Sequence, residues 1–181
     1  MISGSIPSDG EIVSAMTPSY LRPLGIIHVA ISMAPIFFAA AIVFVMLTMP
    51  PVVATPSDIS LIDVLSILNL VILASAWFVG SFIFQKMVAS GISSEIAGND
   101  QTLRAEVILA ALKSGLIVRL AMLEGSAVFG LTVCLLGVMR GVLPGESIYW
   151  FNLVPITFLI AYSVSNFPSS GRILSILKGF Q

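Results

Sequence analysis

The stretch GLIVRLAMLEGSAVFGLTVCLLGVM, Gly115 to Met139, decides the fold. Within it only Arg119 and Glu124 are charged. As a helix rising about 1.5 Å per residue it reaches across the roughly 30 Å hydrocarbon core of a bilayer. A buried strand would be far shorter, and the chain lacks the alternating ten-residue segments of a membrane barrel.

Three further runs match it. The first, about Leu24 to Met49, is interrupted only by His28 and Pro35, and the second, about Val64 to Phe84, contains Asn69. The last, about Ser147 to Asn166, is the most polar, with Asn152, Thr157 and Ser163. These runs predict an all-α polytopic membrane protein, a single domain over residues 1–181 with four transmembrane helices and a loop over 85–114. Composition agrees, with 57% hydrophobic against 9% charged residues and a mean hydropathy of +1.08. Soluble domains carry about 25% charged residues. The net charge of −1 excludes a strongly basic nucleic-acid surface. One cysteine and one histidine exclude an intrachain disulfide and a usual structural zinc site, and no cofactor is expected.

Orientation follows from the basic residues. Arg22, Lys86, Arg104, Lys113, Arg119, Arg172 and Lys178 fall on or near one side, and Arg140 alone falls on the other. The positive-inside rule then places both termini and the loop in the cytoplasm. The polar N-terminal twenty residues, with Asp9 and Glu11, do not resemble a cleaved signal, so the first run is expected to be a retained span.

Within the loop, Ala89 to Asp100 is small and polar and reads as flexible chain. From Asp100, a candidate cap paired with Arg104 at i,i+4, the pattern turns helical, with Leu103, Val107, Ala110 and Leu112 broadly on one side. It reads as an interfacial helix or an extension of the third span bending near Gly115. A second short interfacial helix is expected over Gly171 to Gln181, after Pro168 ends the fourth span.

The first and third spans echo each other at an offset of 91 positions. Ile26, Ala30 and Phe38 meet Ile117, Ala121 and Phe129, while Ala30 and Ala34 meet Ala121 and Gly125. Small residues four apart let helices approach closely in lipid, so these four are the expected packing positions. Two tandem hairpins, related by duplication or by chance, would give that pattern.

Glu124 is the most informative residue. A carboxyl inside a span costs about 2.5–3.5 kcal/mol on insertion scales and needs a partner or water. Arg119, five residues earlier, points about 140° away around the helix, so His28, Asn69, Asn152 or water must serve. Two readings stay open: a proton or ion carrier, or an interhelical hydrogen bond that fixes packing. His28 and Asn69 read as members of the same polar site or as interhelical glue. Arg119, Arg104 and Lys113 read as contacts to inner-leaflet phosphates. Pro35 and Pro155 read as helix kinks.

Two resemblances rest on these residues. Leu123-Glu124-Gly125-Ser126-Ala127-Val128-Phe129-Gly130-Leu131 resembles the carboxylate helix of rotary ATP synthase c subunits (proteolipids), which implies proton carriage by Glu124. The chain departs from that family in lacking its glycine ladder and tight polar loop. More broadly, Ile26-Ile27-His28-Val29-Ala30, Leu123 to Gly130 and Phe167-Pro168-Ser169 resemble small uncharacterised bacterial four-span membrane proteins. No nucleophile–base pair or phosphate loop stands out. The expected function is a non-enzymatic membrane protein, an accessory subunit of a larger complex or a homo-oligomer. The alternatives are ion translocation through Glu124 and lipid interaction at the interfacial helices, with the bilayer as the constant partner.

Overall fold

A computed structural model describes residues 7–50, 52–93, 101–143 and 145–180. All its elements are helical: α1 (Asp9–Ala15), α2 (Pro18–Thr48), α3 (Pro56–Ile92), α4 (Gln101–Met139), a 3-10 helix (Ser147–Leu153), α5 (Val154–Ser165) and α6 (Ser170–Lys178). Four segments are long and apolar enough to cross a membrane: α2, α3, α4 and the 3-10 helix continued by α5.

Three helices, α1, α3 and α6, start at a side chain that accepts from an otherwise orphaned backbone N–H group. Thr55 Oγ1 accepts from Asp58 N (3.3 Å), and Asp58 Oδ2 accepts in return from Thr55 N (3.1 Å). Ser8 and Glu11 form the same reciprocal box at α1. The C-terminus of α4 closes as a Schellman turn, with Val142 N on Gly137 O (2.8 Å) and Gly141 N on Val138 O (3.1 Å). Gly141 has φ +72°, and a side chain there would also meet the Val52 carbonyl. Glycine is required on both counts.

The helix α4 is the centre of the molecule. It packs against α2, α3, the 3-10 helix and α5, whereas the consecutive helices α2 and α3 scarcely touch. The tandem-hairpin arrangement is therefore not how the spans pair, because α4 stands between α2 and α3. Its inward residues Leu116, Leu120, Leu123, Ala127, Leu131, Cys134 and Val138 recur at steps of three or four, the spacing of one helix face. The helix α2 answers with Leu24, His28, Pro35 and Ile42. Ala30, Ala34, Ala121 and Gly125 all lie on exposed faces instead. A Cβ added to Gly125 would meet nothing within 4 Å. Larger side chains fill the α2–α4 contact, so the small residues are not its packing points.

The supposed loop 85–114 is mostly helix. The helices α3 and α4 run past the bilayer length as an antiparallel pair, and only 93–100 lies between them. The expected cap Asp100 and most of the expected flexible stretch lie outside the described residues. Close packing explains the helix through Ser90 and Gly91: a Cβ at Gly91 would lie 3.6 Å from Ile108 Cα and collide with Ala111 Cβ.

This extension carries a second core. Ile12 and Met16 near α1, Leu24, Phe84, Val88, Ile108, Leu109, Leu112 and Leu116, and Ile173 and Leu177 of α6 bury one another. The buried face of the α4 extension is thus Ala105, Ile108, Leu109 and Leu112, while Leu103 and Ala110 are exposed. A cap of packed helices replaces helices merely lying on the membrane. It brings α1 and α6 to the same end as the α3–α4 connection, where Lys178 Nζ meets Asp9 Oδ2 at 2.9 Å.

The fourth crossing is short. Its 3-10 stretch rises about 2.0 Å per residue against 1.5 Å in α5, so the two together span about 32 Å, enough for the bilayer core. Pro155 sits in the first turn of α5, where its missing N–H costs nothing, and marks the junction rather than a kink within α5.

Candidate functional site

Among the described residues, three groups of polar side chains join helices inside the membrane segments, separated by the helix faces that carry them. The first lies between α3 and the 3-10 helix. Asp63, Ser66 and Asn69 recur every third residue on α3, and Tyr149 and Asn152 are three apart on a helix of three residues per turn. Each set therefore forms a row, and the rows meet. Tyr149 Oη donates to Asp63 Oδ1 (2.7 Å), and Asn152 Nδ2 donates to Ser66 Oγ (2.8 Å). Asn69 Nδ2 donates to Asn152 Oδ1 (3.1 Å). Gly130 makes room for this ladder: a Cβ there would collide with the Asn152 carbonyl and lie 2.9 Å from Asn69 Nδ2. At the end away from the cap Arg140 Nη1 pairs with Asp58 Oδ1 at 2.9 Å. Asn69 is fully buried, and among the described residues its Oδ1 has no hydrogen-bond partner, nor has Ser126 Oγ one turn along α4 from Gly130.

The second group joins α2 to α5. The buried His28 donates from Nε2 to the Ser163 carbonyl (3.0 Å), one of the last four carbonyls of α5, which have no partner in their own helix. Ser32 Oγ donates to the His28 carbonyl (2.8 Å) and lies 2.6 Å from Ser163 Oγ. The edge of Phe167 closes against the imidazole, with centroids 5.6 Å apart.

The third group surrounds Arg119. Its guanidinium lies 4.8 Å from the Tyr162 ring, 5.2 Å from Trp77 and 5.9 Å from Phe84. Aromatic faces attract a cation at such distances. Arg119 is thus held between α3 and α5 by rings, which a reading of phosphate contact alone did not foresee.

Glu124 belongs to none of these groups. It is half-buried at the edge of the outward face of α4, beside exposed Ala121, Gly125 and Val128. Among the described residues, no hydrogen bond or ion pair reaches it. Tyr20 Oη donates to the Leu109 carbonyl (2.7 Å), which fixes a parallel register between α2 and α4. In that register His28 lies about 10 Å from Glu124 along the axis. The expected site of Glu124, His28 and Asn69 is therefore not assembled: His28 and Asn69 turn inward to α5 and the 3-10 helix, and Glu124 turns outward.

The remaining cations sit at the capped end. Arg104 is eleven positions before Gly115, about 16 Å along a continuous helix. Lys113 lines a cleft with Glu106, Thr17, Ser19 and Tyr20. Arg104 belongs to the cap, and Lys113, two positions before Gly115, stands where the cap meets the span.

Sequence reasoning missed the ladder partners Asp63, Ser66 and Tyr149 and the aromatic cage around Arg119. The three-residue spacing of Asp63, Ser66 and Asn69 was a usable signal. Nothing local marked Trp77, Phe84 and Tyr162 as neighbours of one cation. No family model matches the chain, and no curated protein or solved structure matches it, so the geometry alone carries the functional reading.

Proposed function

We propose that this protein is a small non-enzymatic subunit of a larger assembly in a bacterial cytoplasmic membrane, docked through the outward face of α4. One observation supports the reading above all: Glu124, a carboxyl deep in a membrane span, has no partner among the described residues of its own chain. An ionisable group at that depth costs several kcal/mol unless it is satisfied, and such groups normally face protein or water. The occupant that fits is a transmembrane helix of another protein presenting a hydrogen-bond donor or cation at this level. Exposed Ala121 and Gly125 on either side of Glu124 let such a helix come close.

Conduction through Glu124 is less well supported, because His28 turns to α5 and Asn69 to the 3-10 helix, both away from it. The positive-inside distribution favours the capped end, with both termini, in the cytoplasm, since seven of the eight Lys and Arg residues lie toward it.

The test is purification in mild detergent followed by native electrophoresis of wild type and Glu124→Leu. The expected result is a heavier species containing a second polypeptide for wild type, and its loss in the variant. A free monomer in both would overturn the subunit reading. A species of twice the chain's own mass would replace the partner with a second copy.

A further inference from the structure

A different face, between α3 and α5, carries features that docking at α4 does not use. Arg119 has no carboxylate partner among the described residues, and its Nε is buried without a hydrogen-bond acceptor. A guanidinium stays protonated at any physiological pH, so a partly desolvated one calls for a counter-charge. The rings of Trp77, Phe84 and Tyr162 fix its position.

Directly beside this cage lies a groove of about 320 Å³, lined by Leu70, Leu73, Ala74, Trp77, Phe78 and Phe158. Trp77 is common to both: it stacks on the guanidinium on one side and forms the groove wall on the other. The groove opens to lipid, since Phe78 is 71% exposed and Phe158 46%.

The two features are ordered along the membrane normal. On α3 the groove runs from Leu70 to Phe78, and the next turn, at Gly80, faces the Arg119 side chain, with a Cβ there 3.6 Å from Arg119 Cγ. The cation therefore sits at the capped end of the groove, and the apolar part runs from it toward the bilayer centre. That is the order of headgroup and tail in a lipid of the leaflet on the capped side. Arg119 lies only about 6 Å beyond Gly115, within the reach of a snorkelling side chain. A second guanidinium is held nearby. Arg172 Nη2 donates to Asn166 Oδ1 (2.7 Å), and Asn166 Nδ2 donates to the Tyr162 carbonyl (3.0 Å).

We propose that Arg119 and this groove form a binding site for one anionic phospholipid, its phosphate on the guanidinium and an acyl chain along Leu70 to Phe78. A planar guanidinium is suited to bidentate phosphate recognition. In a bilayer the groove has no water to fill it, so a hydrocarbon chain is its natural occupant. A soluble anion would use Arg119 but leave the groove without a role.

The test uses the delipidated full-length protein in detergent, titrated with dioleoyl phosphatidylglycerol or dioleoyl phosphatidylcholine and read by native mass spectrometry. One phosphatidylglycerol should bind with about a tenfold preference over phosphatidylcholine, equivalent to about 1.4 kcal/mol. Arg119→Gln should abolish that preference. Ala74→Trp, which fills the groove from its lipid side and leaves Arg119 in place, should weaken phosphatidylglycerol by a similar factor, which keeps the test valid if Arg119→Gln folds poorly. An equal response to both lipids in wild type, or unchanged binding in Ala74→Trp, would overturn the proposal. Displacement by millimolar inorganic phosphate would also overturn it, in favour of a soluble-anion site.

Discussion

Asn69 and Glu124 both place a polar group in a hydrophobic span, and the fold treats them oppositely. Asn69 is enclosed against Gly130 and bonded to Asn152, so its removal takes away interhelical contacts and leaves Asn152 short of a donor. Such membrane hydrogen bonds average about 0.6 kcal/mol and reach about 1.7. Asn69→Leu should therefore lower resistance to unfolding in sodium dodecyl sulfate by about 1 kcal/mol. Glu124→Leu should leave the isolated chain as stable as wild type or more so, because no contact is lost and a costly group is removed. A clear loss of stability in Glu124→Leu would mean that the carboxyl holds its own bundle together. Gly130→Ala should cost about 2 kcal/mol or more in the same titration, since the added methyl meets backbone on a packed helix. No measurable loss would place the 3-10 helix farther from α4 than described. At this scale the sequence marked Asn69, His28 and Glu124 as the polar residues to follow. It could not say which would be satisfied, because Asn152 lies 83 positions from Asn69 and Ser163 lies 135 from His28.

The elements divide by how their stability arises. The spans were readable because lipid demands about twenty apolar residues from any helix, whatever it packs on. The cap was not. The seven-residue α1 is too short to be helical alone and owes its form to the Ser8–Glu11 box and to burial of Ile12. The continuation of α3 to Ile92 runs through small residues that suggest a loop until α4 is seen against them. The amphipathic α6 was visible as a helix, but its docking on α1 and the α3–α4 extension was not. Ile173 is fully buried there. Ile173→Asp should detach α6 and open the cap, which limited proteolysis would detect as faster cleavage within 85–114 while the spans stay intact. Unchanged cleavage would mean that α6 is only an accessory to the cap. The Asp9–Lys178 pair is more than half exposed on both sides, so it should matter little. Lys178→Ala should change stability by less than about 0.5 kcal/mol, the usual range of a surface pair.

As a whole the molecule is a central helix with its neighbours arranged around it and a cap at one end. The inward faces of α2, α3 and α5 pack on α4, and the Glu124 face of α4 and the Arg119 groove between α3 and α5 face outward. They lie on different sides, so a partner helix and a lipid can be held together. The orientation has its own check. Glu146→Cys and Lys178→Cys are exposed positions at opposite ends, and Cys134 is fully buried and can stay. A membrane-impermeant maleimide added to intact cells should label the first and not the second, and the reverse pattern would invert the topology.

The most direct measurement is photo-crosslinking in intact membranes from a probe residue at Gly125, compared with one at Val71, which is 56% exposed on α3. The account predicts a discrete adduct with another polypeptide from position 125, absent from position 71 and lost when Glu124→Leu is added. No adduct at 125, or one that forms equally from both positions and survives Glu124→Leu, would contradict it.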